Sequence, residues 1–125
     1  MAAPLVATVV AAHRAPGHPP IRIETGQALM LGRADTDWPQ FTWVVRDDGL
    51  GGWVPTSLLQ RVAGDPARAV ARDAYDTTEL AADAGARVRL HRLLADWWWA
   101  EDDHGTRGWI PARVLASPAP AGTTD

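Results

Sequence analysis

Hydrophobic residues along this chain fall in short strings and alternations, and almost nowhere at the three-to-four spacing of an amphipathic helix. Leu5–Ala12 is a β-prone apolar run, and Ala28–Arg33 is a second. Phe41–Arg46 alternates aromatic and polar positions, as a half-buried strand does, and Gly52–Val54 returns beside it. Between these two, Asp47-Asp48-Gly49 predicts a tight hairpin, because Asp-Gly supplies the positive φ angles such turns require. Pro55, with no N–H to give to a ladder, stops the return strand. The pattern then recurs: strands are predicted at Ala69–Asp73, Arg87–Arg92, Trp97–Glu101 and Arg107–Ile110, with a turn over Asp102-Asp103-His104-Gly105.

The recurrence is an internal repeat. Gly49 to Leu59, which contains Gly52-Trp53-Val54-Pro55, aligns with Gly105 to Leu115, which contains Gly108-Trp109-Ile110-Pro111, at an offset of 56 residues. At that offset Phe41 meets Trp97 and Trp43 meets Trp99. Upstream, Gly26, Leu29, Leu31 and Arg33 match Gly85, Val88, Leu90 and Arg92 at an offset of 59, so the first copy carries three extra residues between. Two units are predicted, 1–62 and 67–117, joined by a short linker over Arg61–Pro66, with a disordered Pro-, Ala- and Thr-rich tail at 118–125. Many short strands with turns at close spacing predict an all-β fold of two small barrels.

Composition narrows the function classes. A net charge of -3 and no basic cluster argue against nucleic acid as a partner. With no cysteine there is neither a disulfide framework nor a thiolate metal site. His13, His18, His91 and His104 are too scattered to converge on a metal and read as solvated or locally hydrogen-bonded side chains, so no cofactor is expected. Arginine supplies all twelve basic positions, and with the Ala, Gly and Pro content this resembles the product of a GC-rich bacterial gene. Met1–Ala12 lacks the positive segment of a secretory signal, and no run is long enough to span a membrane, so a cytoplasmic protein without membrane partners is expected. No phosphate loop, nucleophile elbow or His-Glu metal motif is present, which predicts a non-enzymatic protein.

Three consecutive tryptophans cannot share one face of a strand: Trp97 and Trp99 point one way and Trp98 the other. Trp97, between a loop at Asp96 and a core position, is expected to show its ring to a ligand. Trp98 is expected to cover the outside of a barrel or an inter-unit contact, while Trp53 and Trp109 are read as barrel packing.

In order along the second unit stand Ala71-Arg72-Asp73-Ala74-Tyr75-Asp76, Glu79-Leu80, Gly85, Asp96-Trp97-Trp98, Gly108-Trp109-Ile110-Pro111 and Val114-Leu115. This succession resembles a Src-homology-3 (SH3) domain, and the first unit is similar from Gly26 to Leu59. The pair resembles the tandem SH3-type proteins of bacteria. The resemblance implies two five-stranded barrels in tandem, each with an aromatic groove for an extended, proline-rich segment. It assigns Trp97, Pro111 and Tyr75 to the second groove, with Asp76, Glu79 and Asp96 as acids that pair with a ligand Arg or Lys. In the first unit Trp38 or Phe41 takes the tryptophan's role beside Pro55. Two groove tyrosine positions are filled by Asp73 and Val114, and the first unit has no tyrosine, so the two sites are expected to prefer different ligands. The expected partner is a protein or peptide, proline-rich or Arg-containing, bound by a monomer or weak homodimer. Two alternatives use the same aromatics differently: an assembly protein that packs them between barrels or copies, and a cell-wall binder, which would need export.

Overall fold

The computed structural model describes residues 4–120. Twelve strands follow one another: β1 (Leu5–Thr8), β2 (Arg22–Ile23), β3 (Ala28–Ala34), β4 (Phe41–Val45), β5 (Gly51–Pro55), β6 (Leu59–Val62), β7 (Asp65–Ala71), β8 (Tyr75–Asp76), β9 (Arg87–Leu94), β10 (Trp97–Glu101), β11 (Arg107–Pro111) and β12 (Ala119–Pro120). Single 3-10 turns at Thr56–Leu58 and Ala112–Val114 follow β5 and β11. The described residues contain no α-helix, so the fold is all-β as the pattern predicts. The strands form a five-stranded sheet in the order β11-β10-β9-β1-β12, a second in the order β5-β4-β3-β7-β6, and the two-stranded pair β2-β8. None of these sheets closes on itself into a barrel among the described residues.

The chain divides into two compact units, but not at the predicted boundary. His18–Thr77 form a middle unit, and Met1–Gly17 combine with Thr78–Asp125 in a terminal unit. Measured against the predicted repeats, the leading strands are exchanged. Strand β1, at the head of the first repeat, pairs with β9 of the second, in the register Leu5↔Leu90 to Thr8↔Arg87. Strand β7, at the head of the second repeat, pairs with β3 and β6 of the first. The cause is local. Val62 pairs with Asp65 across Ala63-Gly64, and Gly64 takes a φ of 78°. The stretch predicted as a linker is therefore mostly the tip of a β6–β7 hairpin. Closing a two-residue loop costs far less chain entropy than any remote pairing, so β7 is claimed by the strand just before it. The edge of β9 is then left for β1.

The same contacts recur in both units around the exchanged strands. Val9 N–H donates to Ala86 O (2.8 Å) and Gly85 N–H to Val9 O (2.7 Å); Ala71 N–H donates to Gln27 O (3.0 Å) and Gly26 N–H to Ala71 O (2.8 Å). Gly26 and Gly85 both sit at positive φ, which suits glycine at these turns. Both predicted hairpins form, with different chemistry at the tip. In the middle unit the Asp48 carboxylate takes the Leu50 N–H and a salt bridge from Arg46. In the terminal unit Asp102 Oδ1 takes the N–H groups of His104 (2.9 Å) and Thr106 (3.0 Å).

Alternation along β10 and β11 sorts the tryptophans. Ala100 and Ile110 are buried in a cluster with Ala7, Val9, Leu80, Ala82, Val88 and Leu90, and Trp98, on the same face, packs against it. Trp98 thus belongs to the core side, not to an outer cover. Trp97, Trp99, Trp109 and Pro111 occupy the other face, with Trp99 opposite Trp109. The middle unit repeats this with Trp43 opposite Trp53. Both pairs meet edge to face, with centroids 5.4 Å and 5.2 Å apart. Of the predicted tail, Ala119 and Pro120 add a short edge to β1, and 121–125 lie outside the described residues.

Candidate functional site

The predicted groove residues are divided by the strand exchange. Trp38, Phe41, Pro55, Tyr75 and Asp76 belong to the middle unit; Glu79, Asp96, Trp97 and Pro111 belong to the terminal unit. The expected grouping of Tyr75 and Asp76 with Trp97 within one unit therefore does not occur, because β7 and β8 leave with the first repeat. In both units the hairpin register sets an aromatic directly across from the motif proline, Trp97↔Pro111 and Phe41↔Pro55.

In the terminal unit, the place that Tyr75 holds in the middle unit is taken by His13. Ile23 pairs with Tyr75, and the matching Ala82 pairs with His13. The His13 backbone is fixed on both sides: its N–H donates to Ala82 O (2.9 Å) and its carbonyl accepts from Ala82 N–H (3.0 Å). The imidazole Nε2 donates to Glu79 Oε1 at 2.8 Å, and the ring meets Trp97 at 5.4 Å and 80°. Both partners of this hydrogen-bonded pair are largely sheltered, with side chains 15% and 20% exposed. Trp97 is itself only 8% exposed, so the ring expected to face a ligand is covered, and His13 is part of the cover.

Glycine positions the carboxylate. A Cβ on Gly108 would stand 2.6 Å from Leu80 N and 2.7 Å from the Glu79 carbonyl carbon. The Thr78–Leu80 backbone crosses at this point, with Trp109 N–H donating to Thr78 O and Leu80 N–H to Trp109 O, both at 2.9 Å. The first residue of the Gly-Trp-x-Pro motif therefore serves close backbone approach. In the middle unit Gly52 faces side chains instead, with Thr77 Cγ2 at 3.0 Å and Ile21 Cγ1 at 3.1 Å from its added Cβ. Buried Thr77 is satisfied there: its hydroxyl accepts from Ile21 N–H (2.9 Å) and donates to Ile21 O (3.3 Å). Where the terminal unit has Glu79, the middle unit has Pro20.

The other predicted residues have protein surroundings too. Tyr75, Phe41 and Pro55 are buried and Trp38 is half-buried. Asp76 pairs with Arg22 at 3.2 Å. Asp96 accepts from the Ala112 N–H through its backbone carbonyl (2.9 Å). The fourfold scatter of histidines resolves into local contacts: His91 donates to Glu101 (3.1 Å), and His18 meets Trp43 edge to face at 5.1 Å. Among the described residues no group of three or more His, Cys, Asp or Glu could hold a metal ion.

An open cleft of about 630 Å³ lies elsewhere on the terminal unit, between Arg87 and Arg89 of β9 and Glu101, Asp102 and Asp103. The Glu101 carboxyl is held below its ordinary range, chiefly by the hydrogen bond from His91, with help from the Arg107 charge, against a smaller desolvation effect. None of the predicted groove residues lines this cleft.

The motifs do not single out His13, which the sequence alone sets among solvated or locally hydrogen-bonded histidines. The signal available was an offset of 62 residues that sets Val9 on Ala71 and His13 on Tyr75. No helix among the described residues is long and apolar enough to cross a membrane. Comparison of the chain with family models, with curated proteins and with solved structures finds no match.

Proposed function

We propose that this protein is a non-enzymatic binding module whose two SH3-like units recognise a peptide or protein segment through their aromatic–proline faces. The observation that carries this reading is the recurrence of one cross-strand pair in both units, Trp97↔Pro111 and Phe41↔Pro55. An indole or phenyl ring beside a proline forms a rigid apolar floor, buried in both units, that would suit an extended segment of preset conformation once the side chains over it are displaced. Glu79 supplies the terminal unit with a carboxylate next to that platform, so a segment containing both proline and arginine is the ligand the chemistry favours. The test is a titration of the full chain with arrays of proline-rich and Arg-containing peptides, followed by NMR. Shifts centred on the Trp97 indole or on Phe41 are expected; their absence with every peptide would sink the groove reading.

A second reading, an assembly protein, draws on the half-exposed Trp43 and Trp53 of the middle unit, with Arg33 lying 5.5 Å over the Trp53 ring. It requires a dimer. Solution mass across a concentration series separates the two, since a monomer at all concentrations leaves those rings without a second copy to meet.

A further inference from the structure

We propose that His13 is an internal occupant of the terminal unit's site, holding Glu79 and covering Trp97 until a ligand displaces it. This rests on the binding-module reading above and adds to it a regulated site. The geometry is that of a ligand contact made from within the unit. The imidazole donates to the carboxylate at 2.8 Å while its ring packs edge to face with the indole. A cationic side chain arriving on a peptide needs the same carboxylate and the same ring surface, so binding and the His13 contact exclude each other.

The middle unit shows what the site is like without this device. There the matching strand position is Tyr75 and the carboxylate's place is Pro20, so neither half of the pair exists. The exchange of leading strands is what delivers an imidazole, and not a phenol, to Glu79.

The other charged groups on the two segments that carry the pair, Arg14 and Asp83, are engaged with each other at 2.7 Å and stand 69% and 78% exposed, so His13 is the side chain a ligand must displace from Glu79.

The experiment uses the full chain and an Arg-containing polyproline decapeptide, with NMR signals of the Trp97 indole reporting on the terminal unit. His13→Ala should bind about tenfold more tightly than the native chain. His13→Tyr copies the middle unit's residue, so it keeps the strand position filled and serves if the alanine variant does not fold. It too should bind more tightly than the native chain, having no imidazole to hold Glu79. Binding that is unaffected by either substitution overturns this inference and leaves the binding-module reading standing. No binding at the terminal unit by the native chain or either variant overturns both.

Discussion

The two units are built on one plan and furnished differently. Each has a three-stranded hairpin sheet, a Gly-Trp-x-Pro return strand, a crossing segment over the motif glycine, and a leading strand borrowed from the other repeat. In the middle unit the crossing segment is tied by Thr77 and lined by Ile21, Pro20 and Tyr75. In the terminal unit the corresponding positions bring in Glu79 and His13, a hydrogen-bonded pair set against an indole. One backbone plan thus carries different side chains over the motif glycine, apolar ones with a threonine in the middle unit and a hydrogen-bonded imidazole and carboxylate in the terminal unit.

The largest effect tests the exchange itself. A chain lacking residues 1–12 loses Ala7 and Val9 from the terminal core and exposes the edge of β9. The terminal unit should unfold while the middle unit persists, seen as collapse of the Trp97–Trp109 NMR signals with Trp43 and Trp53 unmoved. Correspondingly, His18–Thr77 produced alone should fold, whereas 1–62, deprived of β7, should not. The reverse result would restore the simple tandem.

Next comes the motif glycine. Gly108→Ala drives a methyl into the Leu80 and Glu79 backbone, which cannot yield, and should cost about 3 kcal/mol or more. Gly52→Ala meets the ends of the Thr77 and Ile21 side chains and should cost nearer 1 kcal/mol. Denaturant unfolding of the two variants measures the difference, and equal losses would mean that the crossing is made alike in both units.

A smaller gain is expected at the turn between β9 and β10. The terminal unit turns there on Ala95 and Asp96, both at positive φ (52° and 68°), where the middle unit uses the longer stretch between Ala34 and Phe41. Ala95→Gly removes the steric penalty of a left-handed alanine and should stabilise the terminal unit by about 0.5 to 1 kcal/mol, read as a raised Tm. A loss of stability would instead mean that the alanine methyl matters more than its backbone.

The smallest effect concerns acid. Glu101 has its carboxyl lowered by His91 and Arg107, so its contribution is present above the unfolded-state value and is lost as pH falls through the lower, folded one. Glu101→Gln should therefore flatten the decline in stability at acid pH slightly. The native and substituted chains should converge at the acid end, and a gap that widens there contradicts the assignment.

Much of this fold is legible in the sequence, and the limit falls at a definite place. Asp47-Asp48-Gly49 and His104-Gly105 announce their hairpins because turn chemistry is local, and the register Trp97↔Pro111 follows from the turn. Alternation places Trp98 opposite Trp97 but does not say which face is inside; that depended on the cluster of Ala100 and Ile110. The pairing of β1 was out of reach, since Leu5–Thr8 meets two edges of the same pattern and the choice is made by competition from β7. The site inherits that limit. Pro111, Glu79 and Trp97 stand in motifs that the sequence displays, whereas the place of His13 depends on which edge its strand joins.

The hairpin at Ala63-Gly64 also sets an order of events during synthesis. Every partner of the middle unit's strands has been made once Thr77 has left the ribosome, so that unit can close while the rest is still being translated. Strand β1 is made earlier than all of it, yet its partner β9 comes only with Arg87–Leu94. Strand β1 thus stays unpaired while the whole middle unit is made, and any helper that guards the nascent chain would find its business there.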